Sequence, residues 1–230
     1  MELIKKHPAL LYLEKNGFYF FEEGLTSVIS LAFSETAIRD MEVINTAQLM
    51  TQIKTFIDQY QLTPAIITIV LSPNVVFEKD ITGLARDTQE EMVKSFIDTI
   101  PFESVLTKSF PIDKGVKVIG FNDDLYMELK NSFEKNQFII ENILPYQLLG
   151  ADQVLIKNLT ADNASQFIKR SYHLKQYTLT TVEKEKTATV SQQPTTSAEK
   201  PKKTNIRLFA MIGIFAVLFG VLGYMLFTMK

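Results

Sequence analysis

Twenty consecutive residues, Leu208 to Phe227, carry no charge: LFAMIGIFAVLFGVLGYMLF. At about 1.5 Å rise per residue, a helix of that length is about 30 Å long, the thickness of a bilayer's hydrocarbon core. Lipid offers no partners to backbone N–H and C=O groups, so a segment that crosses must be helical. A helix of a soluble core keeps a polar face, whereas this run is apolar on every side. The sequence therefore predicts one transmembrane helix over 206–229. Lys200, Lys202, Lys203 and Arg207 precede the span and only Lys230 follows it. That imbalance places the N-terminal side in the cytoplasm. No apolar run of leader length follows Met1, so nothing is predicted to carry the preceding residues across.

Gly213, Ala216, Gly220 and Gly223 fall near one face of the span, and Ala216 with Gly220 forms a small-xxx-small pair. Such a face admits a neighbouring helix and a helix-mediated oligomer. Gly is also common in membrane helices for no such reason, and both readings stay open.

Before the span, residues 178–205 are rich in Thr, Ser, Gln, Lys and Glu, with Pro194 and Pro201. Their scattered apolar residues bury too little surface to offset the entropy of ordering, so a disordered linker is predicted. Residues 1–177 are then a cytoplasmic head. The chain has no Cys, which excludes disulfides and thiolate metal sites. Net charge is uneven. From Glu183 to Arg207, Lys184, Lys186, Lys200, Lys202, Lys203 and Arg207 outnumber Glu183, Glu185 and Glu199. With Lys230 also positive, residues 1–182 hold −6 against −2 for the whole chain. An acidic head repels phosphate backbones, so no nucleic-acid partner is expected.

Within the head, Ala9–Leu13, Phe18–Glu22 and Leu25–Phe33 read as three antiparallel strands, with Asn16-Gly17 supplying positive φ at the first turn. Asn45 or Thr46 caps a helix whose apolar stripe is Leu49, Met50, Ile53, Phe56, Ile57 and Tyr60. The β-branched run Ala65–Leu71 suits a strand buried on both faces. A strand over Val75–Ile81 follows, then a helix from Thr88 to Ile100 with Met92, Val93, Phe96, Ile97 and Ile100 inward, stopped by Pro101. Strands near Leu106–Ile112 and Val116–Phe121 come next. A helix capped by Asp123 or Asp124 runs to Glu134, Phe138–Leu144 is a strand, and Pro145 opens a helical segment. A last amphipathic helix lies near Asn163–Tyr172. The fold class is α/β with a mixed sheet.

The inventory of chemistry is empty. No Gly-rich loop joins a strand to a helix. His7 and His173 read as surface residues, Asp123 and Asp124 as caps, Glu90 and Glu91 as first-turn acids favoured by the helix dipole. No Ser-His-Asp set or metal-spaced cluster assembles, so no catalytic, cofactor-binding or metal site is predicted.

Several local sequences resemble the N-terminal half of the actin-like PilM family of type IV pilus assembly and the related cytoplasmic domain of GspL from type II secretion. These are the strand Ile66–Ser72 with Pro73, Val75-Val-Phe-Glu-Lys79, the helix carrying Glu90-Glu91 and ending Ile100-Pro101-Phe102-Glu103, Val116–Phe121, and Ile139–Pro145 with Leu148-Leu149. The resemblance covers about residues 8–150. It implies an actin-like, ribonuclease-H-like half-domain. Nucleotide-binding members carry Asp-x-Gly after the first strand where this chain has Glu14-Lys15-Asn16-Gly17, and the second actin-like half is absent, so no nucleotide is expected.

The resemblance further implies a non-catalytic scaffold in the bacterial inner membrane, not an enzyme. It would dock PilN- or PilO-like platform proteins or an assembly ATPase. Ile100, Pro101 and Phe102, or a strand edge, would serve as docking surface, although the same three residues also read as core. Asn142–Tyr146 looks like a PilN docking peptide and equally like a strand end followed by a helix start. Rival readings are a membrane-tethered nuclease or transferase on a ribonuclease-H-like sheet, and a tail-anchored regulatory adaptor.

Overall fold

β1 (His7–Glu14) alternates between two cores: Ala9, Leu11 and Leu13 point to one side and Leu10 to the other. Period-two alternation of apolar residues on both faces requires helices on both sides of the sheet. The computed structural model describes residues 6–83 and 85–180, which fall in one unit, Met1–Glu183. The predicted transmembrane helix, with Gly213, Ala216, Gly220 and Gly223, and the flanking Lys200, Lys202, Lys203 and Arg207 lie outside the described residues. Among the described residues no helix is long and apolar enough to cross a membrane.

β1 pairs antiparallel with β2 (Gly17–Glu22), which pairs antiparallel with β3 (Ile29–Ala32). β3 is shorter than the strand predicted over Leu25–Phe33, because Leu25 still belongs to the turn: its N–H donates to the Glu22 carbonyl at 3.2 Å. Of the predicted Asn16-Gly17 pair only Gly17 has positive φ, 158°. Gly17 is needed for a second reason. A Cβ there would lie 2.1 Å from the Leu31 carbonyl oxygen of β3.

A two-residue hairpin, β4 (Ile38–Arg39) and β5 (Glu42–Val43), was not predicted. Its turn places Asp40 (φ 49°) and Met41 (φ 67°) in the left-handed region. Asp tolerates that conformation. Met41 holds it because its side chain is buried and its carbonyl accepts Asn122 Nδ2 at 2.8 Å. α1 (Thr46–Gln59) begins at Asn45, whose side chain accepts the Gln48 N–H at 3.0 Å, and buries Leu49, Ile53, Phe56 and Ile57.

β6 (Ala65–Leu71) runs parallel to β1, as its buried β-branched sequence predicts. Three strands then form a separate antiparallel sheet in the order β7-β9-β8: β7 (Phe77–Thr82), β8 (Val105–Ile112) and β9 (Gly115–Asn122). Between β7 and β8 lies α2 (Arg86–Ile97), two residues earlier at its start than predicted. The inward stripe expected for it is only partly seated: none of its residues is buried, and Met92 is exposed. A three-stranded sheet gives a helix little surface to bury against.

α3 (Asp123–Glu134) is capped by Asn122, not by Asp123 or Asp124, since Asn122 Oδ1 accepts the Leu125 N–H at 3.2 Å. The two aspartates occupy its first turn, where the dipole favours them. β10 (Ile139–Pro145) pairs parallel with β6 and closes a five-stranded mixed sheet ordered β10-β6-β1-β2-β3. Asn142 to Pro145 is buried strand, so Asn142–Tyr146 is a strand end leading into a 3-10 turn over Tyr146–Leu148. α4 (Gln153–Lys157) and α5 (Ala161–Arg170) cover the face opposite α1 and α3, and α5 lies close to the predicted Asn163–Tyr172.

The head also extends past the predicted boundary at 177. Thr178 and Leu179 are both 3% exposed, too buried to begin a disordered linker. The Leu179 N–H donates to the Ile143 carbonyl at 2.9 Å, and Lys108 Nζ reaches the Thr178 carbonyl at 2.6 Å.

Candidate functional site

In open α/β sheets ligands bind outside the carboxyl ends of the strands. Here β1, β6 and β10 end at Glu14, Leu71 and Pro145. Tyr12 lies near that end, stacked on Tyr19 at 6.4 Å. Its pKa is pushed up to about 12, first by burial, then by Glu14 and Tyr146. Ser72 beside it opposes the shift weakly, short of a well-formed bond. The nearest sequence cation, Lys15, points elsewhere: Nζ pairs with Asp40 at 2.9 Å and holds that carboxyl below its ordinary range. The two line a cleft of about 490 Å³ with Asn16, Glu35 and Arg39.

Tyr12 makes stability depend on alkaline pH. Below about pH 10 the phenol is protonated whether the chain is folded or not, and it contributes nothing to the pH dependence. Between about 10 and 12 the unfolded chain loses this proton while the folded one keeps it. Stability therefore falls as pH rises through that window. The Tyr12→Phe variant is expected to show a flatter decline in urea midpoint from pH 9.5 to 11.5 than the parent; parallel curves would contradict the assignment.

A second site lies between the β4–β5 hairpin and the three-stranded sheet. The β4–β5 hairpin, the segment before β8 and the first turn of α3 enclose a cleft of about 220 Å³, lined by Glu42, Val43, Phe102, Glu103, Asn122 and Asp124. Asn122 holds both walls, bonding the Met41 carbonyl on one side and capping α3 on the other. Asp123 adds a carboxylate that accepts Ser104 Oγ at 3.1 Å. Glu42, Glu103 and Asp124 make no ion pair among the described residues. The result is a mainly polar cleft in which three carboxylates stand beside two apolar side chains, Val43 and Phe102.

The three residues predicted for docking divide accordingly. Ile100 is buried, its Cδ1 seated over Gly120 where a Cβ would come within 2.5 Å. Pro101 is exposed. Phe102 packs edge-on against Phe77 at 5.6 Å and also lines the acidic cleft. Glu42 and Val43 were missed because their hairpin is too short for a strand pattern.

Among the described residues no three His, Asp or Glu side chains are grouped to hold a metal ion. His7 Nε2 lies 3.1 Å from Glu22 Oε2, whose other oxygen accepts the Thr63 N–H at 3.3 Å; His173 stacks edge-on with Tyr172.

No protein-family model matches the sequence, and no curated protein matches it. Among solved structures the chain is similar to the cytoplasmic domain of EpsL, an inner membrane component of the type II secretion system of Vibrio cholerae. Identity is 14%, over 62% of this chain and 58% of that one, with a TM-score of 0.37. It is similar to a PilM–PilN type IV pilus biogenesis complex at 12% identity, over 66% of this chain and 51% of that one, with a TM-score of 0.45. A Bacteroides thetaiotaomicron protein with an actin-like ATPase fold matches at 14% identity, over 66% and 57%, with a TM-score of 0.34. The chain spans between half and three-fifths of each of these chains. At such scores the shared shape is partial.

Proposed function

We propose that this chain is a non-catalytic scaffold of a type IV pilus or type II secretion-like assembly platform. In this reading the head is half of an actin-like body in the cytoplasm, and the apolar run Leu208–Phe227 anchors it in the inner membrane. The observation that carries the reading is the strand order β10-β6-β1-β2-β3, with β1, β6 and β10 parallel and a three-stranded sheet inserted between β6 and α3. A mixed α/β sheet is what the half-domain implied by the resemblance in the sequence calls for. The strand ends where a nucleotide would sit instead present Glu14, which meets phosphate with like charge, beside the neutral Tyr12 phenol, and the neighbouring Lys15 is paired with Asp40.

The acidic cleft is the docking face of this reading. Its partner is a platform protein offering basic and apolar side chains, PilN- or PilO-like or an assembly ATPase, because Val43 and Phe102 accept apolar groups and Glu42, Glu103 and Asp124 accept cations.

The test is a photocrosslinker at position 103 in the full-length chain, activated in native membranes. We expect a salt-sensitive adduct with another platform protein, lost when Glu42→Lys/Asp124→Lys is added to the crosslinking chain, with circular dichroism unchanged. Adducts only with soluble enzymes, ATP hydrolysis by the purified chain, or its release from membranes by alkaline carbonate would overturn the reading.

A further inference from the structure

Among the described α-helices α2 alone buries none of its residues. The flank that faces β8 borders an open groove of about 440 Å³, floored by Val93, Ile97, Ser109 and Val116. Arg86, Glu90 and Lys94 line this groove at intervals of four, and Asp98, the residue that caps the helix in helical conformation, follows at the same interval. Their signs alternate, plus, minus, plus, minus. Residues four apart share a helix face, so the row is one line of charge.

We propose that this flank is a homodimer interface, in which α2 of a second copy lies antiparallel in the groove. Reversed, the row reads minus, plus, minus, plus. An antiparallel copy therefore sets Arg86 opposite the partner's Asp98 and Glu90 opposite the partner's Lys94, and each contact occurs twice by symmetry. Val93 and Ile97 supply the apolar centre.

A row spaced by four also suits pairs within one helix, but only Arg86 and Glu90 are closed that way, at 3.3 Å. Lys94 makes no ion pair among the described residues. A strand cannot readily take the second copy's place. The outer edge of β8 carries Pro111, which has no N–H to donate, and Lys108 is engaged by the Thr178 carbonyl. The groove thus fits a helix whose charges mirror its own. Two helices of this length bury less than a standard interface, so association is weak when dilute and needs chemical capture to be seen.

Because the chain contains no Cys, a single introduced thiol reports unambiguously. The experiment uses the purified full-length chain in detergent, carrying Val93→Cys and treated with a short bis-maleimide; Tyr172→Cys, on an exposed turn, is the comparison. We expect dimer from position 93 in clear excess over position 172. On the Val93→Cys background, Glu90→Lys alone and Lys94→Glu alone should each lower the yield roughly tenfold, since two symmetric contacts turn repulsive. Mixing those two variants should restore it, because their charges complement one another. Equal yields at 93 and 172, yields indifferent to either charge reversal, or a mixture no better than its components would each overturn the interface.

Discussion

Gly17→Ala is expected to cost on the order of 4 kcal/mol and to lower the urea midpoint of the head by about 2 M. The added methyl would sit 2.1 Å from the Leu31 carbonyl oxygen and 3.0 Å from the Ala32 Cα, both backbone atoms of β3. No side-chain rotation relieves such a contact. β2 and β3 must part, which breaks their ladder and exposes the aromatic face beneath. Gly24→Ala is the matched comparison: Gly24 has φ +107° with nothing within 4 Å of its would-be Cβ, so only backbone strain applies, about 1 kcal/mol. Similar costs for the two would show that the approach of β3 is not what Gly17 serves. The chain has no Trp, so unfolding is best followed by far-ultraviolet circular dichroism.

Phe20→Ala is expected to cost about 3–5 kcal/mol. Phe20 is fully buried on β2, its ring edge-on to Phe56 at 6.1 Å and to Phe138 at 6.4 Å, and stacked on Phe133 at 6.5 Å. Truncation leaves a cavity among three rings, on α1, on α3 and on the residue just before β10, and loses their edge contacts as well. Phe20→Leu keeps most of the volume and should cost below about 1.5 kcal/mol. A Phe20→Ala variant within about 1 kcal/mol of the parent would mean that this cluster closes over the gap, contrary to its packing.

Elements with long, unbroken periodicity were legible in the sequence. β6 runs over Ala65–Leu71 as its β-branched sequence predicts, and α1 presents Leu49, Ile53, Phe56 and Ile57 on one stripe. Caps were less so: Asn122 outcompetes two adjacent aspartates because its amide serves both the helix and the Met41 carbonyl, a contact across 81 residues that local sequence does not encode. The acidic cleft was hidden for the same reason. Glu42 and Glu103 lie far apart in the chain, and the β4–β5 hairpin that brings them together is two residues per strand. The role of Gly17 was legible only in part: its positive φ was expected, but the close approach of β3 shows only once the third strand is in place. α2 went the other way: its apolar stripe is real, but a three-stranded sheet leaves part of it uncovered.

The residues by which the chain leaves the head lace its two sheets together. The Thr178 carbonyl is gripped by Lys108 on β8, while the next N–H, that of Leu179, is held by Ile143 on β10. A pull applied through the tail is therefore shared between both sheets at its first anchoring point. Cutting one attachment, as in Lys108→Ala, would leave that load on β10 alone.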